Sequence, residues 1–120
     1  MPQDRIGSAD APMGALKRDP VLGQIVRRLA AAYQPQRIYL FGSQARGEAG
    51  PESDYDLLLI VADDAPSDKR RSRLAYEVLW ETGVAADVLV WTATQFESRL
   101  HLPASLPATV IREGRLVHAA

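Results

Sequence analysis

Hydrophobic positions recur along this chain in two periods, and the alternation between them lays out the fold. Val21, Leu22, Ile25, Val26, Leu29 and Tyr33 fall at the spacing of one helical face. Asp19 and Pro20 precede them as N-cap and first-turn residue, because Asp accepts from free amides and Pro lacks the amide that would go unpaired. The pattern predicts a helix that opens at Asp19, buries that face, leaves Arg27 and Arg28 outside it, and ends at Pro35. Arg37 to Phe41 predicts a first strand and Ser43 to Glu48 a short helix whose N-terminus sits at Gly42-Ser43. Residues 49 to 53 follow as a loop. Tyr55 to Val61 is apolar on both faces and predicts a central strand covered on both sides.

After the loop Asp63-Asp64-Ala65-Pro66, Ser67 is the expected N-cap of a helix from Asp68 to about Thr82, stopped by Gly83. Leu74, Ala75, Val78 and Leu79 form its core face, and Tyr76 and Trp80 lie on another. Asp87 to Trp91 predicts a third strand. Thr92 or Thr94 caps a short helix carrying Phe96 and Leu100 that Pro103 ends. A last helix runs from Ser105 to Glu113 with Val110 and Ile111 inward, and Arg115 to Val117 predicts a final short strand. The resulting fold class is α/β (α+β), a small mixed β-sheet flanked by helices. Residues 1–18 carry Pro2, Gly7, Pro12 and Gly14 with little periodicity and read as a mobile arm, leaving 19–120 as one domain.

Composition narrows the function. The chain has 120 residues, enough for one domain with a modest core. A net charge of −1 provides no overall basic field for long nucleic acid. Cysteine is absent, which excludes disulfides and thiolate metal sites. No apolar run reaches the roughly 20 residues that span a membrane, and the N-terminus lacks a signal-peptide core. These features read as a soluble, cytoplasmic protein.

The candidate chemistry is concentrated between residues 41 and 61. Asp54 and Asp56 are two apart on a strand, so they point to one face with Cα atoms roughly 6.5 Å apart. Like charges so close resist full ionisation, and a divalent cation relieves the repulsion. Mg²⁺ takes oxygen ligands, usually a few carboxylates with waters and substrate phosphates. Asp87 opens another apolar strand and joins the cluster if that strand lies beside Tyr55–Val61. Taken singly, each Asp also suits a turn or strand edge that bonds local backbone. Gly42 permits close backbone approach to a ligand, and Ser43 offers a hydroxyl at a helix start where free amides meet an anion. A plain strand-to-helix turn with Ser43 as N-cap is the alternative.

Arg46, one turn on, suits a phosphate contact or a solvated helix face. Gly42 and Gly47 have the spacing of a P-loop, but Glu48 stands where that loop requires Lys, and no G-x-G-x-x-G is present. Glu48 and Glu52 read as loop solvation. His101 and His118 lack partners at ligand spacing and read as structural or surface residues.

Gly42-Ser43, ten intervening residues, Asp54-Tyr55-Asp56 and a later Asp87 resemble the DNA polymerase beta-like nucleotidyltransferase superfamily. The strings Phe41-Gly42-Ser43-Gln44-Ala45-Arg46-Gly47 and Ser53-Asp54-Tyr55-Asp56-Leu57 look most like the minimal nucleotidyltransferases, the antitoxin partners of HEPN toxins. That resemblance implies the minimal polymerase-beta-like fold. It also implies a Mg²⁺-dependent transfer of AMP from ATP to a tyrosine of a cognate HEPN ribonuclease toxin, silencing it in the manner of a type VII-like antitoxin. By position, Gly42, Ser43 and Arg46 would bind the nucleotide. Asp54, Asp56 and Asp87 would be the catalytic, metal-binding carboxylates, with Asp87 near the acceptor hydroxyl.

Two features depart from the resemblance: the Pro-broken stretch from Thr92 to Ala120, and a short loop from Ala49 to Ser53 without a basic residue. An acceptor domain has no room in this chain, so Tyr76 and Trp80 become candidate anchors for a partner protein, packing against the N-terminal arm being the alternative. Two other functions remain open. One is an antitoxin that neutralises by binding alone. The other is a nucleotidyltransferase for a small molecule or RNA end, for which Arg70-Arg71-Arg73 is the only basic cluster.

Overall fold

The computed structural model describes residues 19–46 and 54–120, without the side chains of Ser43 and Arg46. The expected arm over residues 1–18 and the stretch 47–53, which includes Gly47, Glu48 and Glu52, lie outside them. Helix α1 (Pro20–Tyr33) starts where the sequence predicts, with Asp19 Oδ1 accepting from the Leu22 amide at 3.1 Å. Gln34 ends it in the left-handed region at φ 50°, its N–H donating to the Ala30 carbonyl. Leu22, Gly23, Ile25, Val26, Leu29 and Tyr33 form the buried face. Val21 departs from the expectation and stays 41% exposed.

Strand β1 (Arg37–Phe41) leads directly into the one-turn helix α2 (Gly42–Arg46), and strand β2 (Tyr55–Val61) follows. The chain continues through helix α3 (Arg73–Leu79), strand β3 (Ala86–Thr92), helices α4 (Ala93–Glu97) and α5 (Leu106–Glu113), and strand β4 (Arg115–Ala119). The described strands form one mixed sheet in the order β3-β2-β1-β4. β2 runs antiparallel to β1 and parallel to β3, and β4 pairs antiparallel with the other side of β1.

Alternation along β2 splits its side chains between two cores. Leu57, Leu59 and Val61 pack with α1 and α3 in the larger cluster, beside Ile38, Leu40, Ala75, Leu79 and Val88. Leu58 and Ile60 face the other way onto Tyr39, Phe96 and Val110, under α4 and α5. Each of these β2 residues from Leu57 onward is essentially without solvent contact, as a strand covered on both faces requires. Tyr39 and Phe96 stack with ring centroids 5.8 Å apart, and the Arg37 guanidinium lies 5.6 and 5.2 Å from the two rings. No described helix is long and apolar enough to cross a membrane.

Three predicted elements are corrected. The helix expected from Asp68 to Thr82 is broken into a 3₁₀ turn (Ser67–Arg70), α3 and a second 3₁₀ turn (Trp80–Thr82), with Arg71 extended at φ −126°, ψ 153°. Ser67 provides no cap there. Tyr33 holds the break. Its hydroxyl donates to the Arg71 carbonyl at 2.5 Å and accepts from the Ala75 amide at 2.9 Å, satisfying backbone groups that a continuous helix would have used itself. Gly83 stops the segment as predicted, at φ 68°.

In the next helix, Thr92 caps in a full capping box with Gln95, and Thr94 instead bonds Asp63. α4 closes at Glu97, which leaves Leu100 beyond it and 38% exposed, while Phe96 is fully buried. In α5, Val110 is buried but Ile111 is 52% exposed, because adjacent helical residues diverge by about 100° and Pro107 rather than Ile111 shares the inward side.

Candidate active site

The mouth of β2 sets the geometry. Asp56 is the Cα partner of Phe41 on β1 and of Asp87 on β3, so the three residues form one row across neighbouring strands. Paired residues point to the same face at a strand spacing of about 4.8 Å. Asp54 precedes β2 by one residue, and Asp56 and Asp87 share one face. This is the face occupied further along by Leu58 and Ile60, where α4 and α5 cover it. The cover stops short of the strand mouth. Asp56 is half-buried there, and Asp54 and Asp87 are exposed.

Gly42 is held at φ +73°, a conformation costly for any side-chain-bearing residue. A Cβ on it would collide with Asp56 Oδ2 and lie 3.2 Å from the Asp56 Cγ. The turn from β1 into α2 therefore wraps directly against one of the carboxylates, and only glycine leaves the space. Ser43 and Arg46 lie on α2, whose backbone is described, although their side chains are not.

Carboxylate oxygens from Asp54, Asp56 and Asp87 are the donor type that suits a hard divalent cation. The register places Asp56 and Asp87 on one face, and Gly42 packs closely against Asp56. Among the described residues, no group of three acidic or histidine side chains is drawn in to a single point. Donor chemistry, rather than a preformed cage, is what suits a cation here.

Two supporting contacts escape sequence reasoning. The Tyr55 hydroxyl donates to Asp19 Oδ2 at 2.7 Å, so the residue between Asp54 and Asp56 is tied to the cap of α1. Burial first, and this hydrogen bond second, push the Tyr55 phenol up to about 12. Arg115, at the start of β4, donates through Nε to the Ala45 carbonyl at 2.9 Å, bracing α2 against the sheet. The two pairs are separated by 36 and 70 positions in sequence, and nothing local to either partner announces them.

Beside Asp54 lies a cleft of about 690 Å³ lined also by Tyr76, Leu79, Trp80, Gly83, Val84, Ala85 and Ala86. A second hollow of about 440 Å³, between Arg73, Tyr76, Glu77 and Trp80, shares the two aromatic walls. The Arg70-Arg71-Arg73 cluster is engaged locally, Arg70 with the Ala65 carbonyl and Arg73 with Glu77. His101 is exposed and His118 half-buried on β4.

The frame of the site is a small mixed sheet with Asp56 on a central strand, Asp87 opposite it on the parallel neighbour, and the Gly42 turn against Asp56. The family model for the nucleotidyltransferase domain matches residues 22–117, nearly the whole described chain, and the chain belongs to that family. No curated protein sequence gives a match.

Solved structures share the fold. One is a toxin–antitoxin crystal structure with AMP-PNP, 23% identical over 81% of this chain and 73% of that one, with a TM-score of 0.55. Another is the complex of a tri-AMPylated Shewanella oneidensis HEPN toxin with its MNT antitoxin, at 19% identity over 86% and 73% and a TM-score of 0.53. A third is the MntA–HepT toxin–antitoxin structure, at 21% identity over 84% and 72% and a TM-score of 0.52. At these identities the likeness is one of fold.

Proposed function

We propose that this nucleotidyltransferase moves AMP from ATP onto a tyrosine of a HEPN-domain ribonuclease toxin and acts as its antitoxin. The observation that carries the reading is the row Asp56–Asp87 across β2 and β3 with Gly42 packed against Asp56. Support for the acceptor comes from the relatives of like fold, one of them complexed with an AMPylated HEPN toxin and another crystallised with AMP-PNP.

In this mechanism Asp54, Asp56 and Asp87 would hold Mg²⁺, which when bound would supply charge neutralisation at the transferring phosphoryl group. Gly42 and Ser43 seat the phosphates, and Arg46 offers a cation to them. The tyrosine oxygen bonds to the α-phosphorus, the bond from that phosphorus to the bridging oxygen breaks, and pyrophosphate leaves. Asp87, at the exposed edge of the row, stands nearest the acceptor and takes its proton. Gly42, held at φ +73°, fixes the phosphate turn relative to Asp56, which lowers the cost of aligning the two substrates.

Incubating the protein with labelled ATP, Mg²⁺ and a cognate HEPN-domain protein should label the toxin on tyrosine. Asp54→Asn/Asp56→Asn should abolish labelling and leave the toxin active. Neutralisation in cells by a double variant that still binds would instead identify an antitoxin acting by occlusion. Labelling undiminished in that variant would overturn the proposal.

A further inference from the structure

Trp80 is 84% exposed and Tyr76, four residues earlier, is 48% exposed on the same side of the α3 segment. Water gains nothing from two aromatic side chains presented side by side, and large aromatics are enriched in the anchoring positions of protein interfaces. The two clefts share these aromatic walls. Together they form a groove from Arg73 and Glu77 to Asp54, one of the three candidate carboxylates.

Among the charged residues of its lining, Arg73 Nε lies 3.3 Å from Glu77 Oε2, and the remaining one is Asp54. Such a lining has no net positive charge to attract a polyanion, so a polynucleotide is a poor occupant. A second copy of this chain is also disfavoured as occupant, since it would lie over Asp54 and shut the site. An apolar, nearly neutral protein segment matches the groove, and one lying along it delivers its end to the carboxylates.

We infer that the groove from Trp80 and Tyr76 to Asp54 is the docking surface for the acceptor protein, taking an apolar segment that carries or flanks the modified tyrosine. The inference rests on the acceptor being a protein, as proposed above. Trp80 is the anchor, and Tyr76 is its neighbour along the same wall. The groove thus couples recognition to chemistry: the partner is read on α3 and presented at the mouth of β2.

The chain has two tryptophans, which allows a direct test. In a Trp91→Phe background Trp80 is the sole indole, and its emission should be red-shifted in the free protein. Titration with the HEPN protein should blue-shift it, as solvent leaves the ring. Trp80→Ala should weaken binding of that protein at least tenfold by calorimetry. The melting temperature should hold, since the side chain is exposed. Ile111→Ala, an exposed apolar control away from the groove, should bind as wild type.

Binding with silent Trp80 emission, or a Trp80→Ala affinity within twofold of wild type, overturns the docking surface. If AMP transfer also proceeds in that case, the activity reading stands alone. A blue shift without AMP transfer supports the surface and removes the activity reading. A blue shift that grows with protein concentration in the absence of partner identifies a second copy as the occupant and overturns the assignment. Absence of any binding to the HEPN protein overturns both.

Discussion

The hydroxyl of Tyr55 and the carboxylate of Asp19 are bonded at 2.7 Å, and Asp19 spends its other oxygen capping α1. One side chain thus anchors both the first helix and the strand that carries Asp54 and Asp56. Tyr55→Phe should cost about 1.5–3 kcal/mol, the range for a hydrogen bond to a charged partner. Urea denaturation gives the direct measurement.

The pH dependence of that contact has a definite sign. The Tyr55 phenol is raised from 10.0 to about 12, so its folded pKa exceeds its unfolded one. Its stabilising contribution is complete below pH 10 and is lost as pH rises from 10 through 12. Tyr33, raised chiefly by burial, adds a term of the same sign. Unfolding midpoints between pH 8 and 12 should fall for the wild type and fall less steeply for Tyr55→Phe.

Gly42→Ala meets both a left-handed backbone and the Asp56 carboxylate. The backbone alone costs about 1–2 kcal/mol, and relief of the clash must move Asp56. The expected outcome is a melting temperature lower by roughly 4 °C or more, with nucleotidyl transfer reduced about 10²-fold. A variant with wild-type transfer would remove the cradle from the mechanism.

Asp56→Asn and Asp87→Asn separate stability from chemistry. Asp87 is exposed, so its isosteric replacement should leave the folded protein about as stable as wild type. Transfer should fall roughly 10²-fold or more, and stabilisation by Mg²⁺ and ATP together in a thermal melt should disappear. Loss of stability comparable to a core truncation would mark these residues as structural instead.

Arg115→Met removes the brace on Ala45 and should weaken ATP binding several-fold, and Arg115→Lys should recover part of the loss. Titration with a fluorescent ATP analogue distinguishes the two variants without requiring the acceptor protein. Equal affinity in all three proteins would confine Arg115 to general stability.

Asp63 offers an acid-side check. Hydrogen bonds from the Thr94 side chain and then its backbone hold the carboxyl below 3.8. The contribution is present above pH 3.8 and is lost as pH falls through the depressed folded value. The stability gap between wild type and Asp63→Asn should therefore narrow below pH 3.8 in acid denaturation.

Strong local signals were legible in the chain. β1 and β2 run over the residues that the apolar runs indicate, and α1 starts at its Asp-Pro signature. The shared direction of Asp54 and Asp56 is an expectation from strand period alone. The errors arise where a tertiary contact overrides a local pattern. The Tyr33 hydroxyl breaks what reads as one helix at Arg71, and Ile111 looks inward only if the helix is assigned the wrong phase.

The sequence by itself determined α1, β1, β2 and the turn glycine that follows β1, because period and residue type act over neighbouring positions. Only the tertiary structure decided that β3 lies parallel beside β2 with Asp87 opposite Asp56, that Gly42 touches Asp56, and that Tyr76 and Trp80 look out over a groove ending at Asp54. Strand order, register and solvent exposure depend on which distant segments pack together, and no window of the sequence contains both partners.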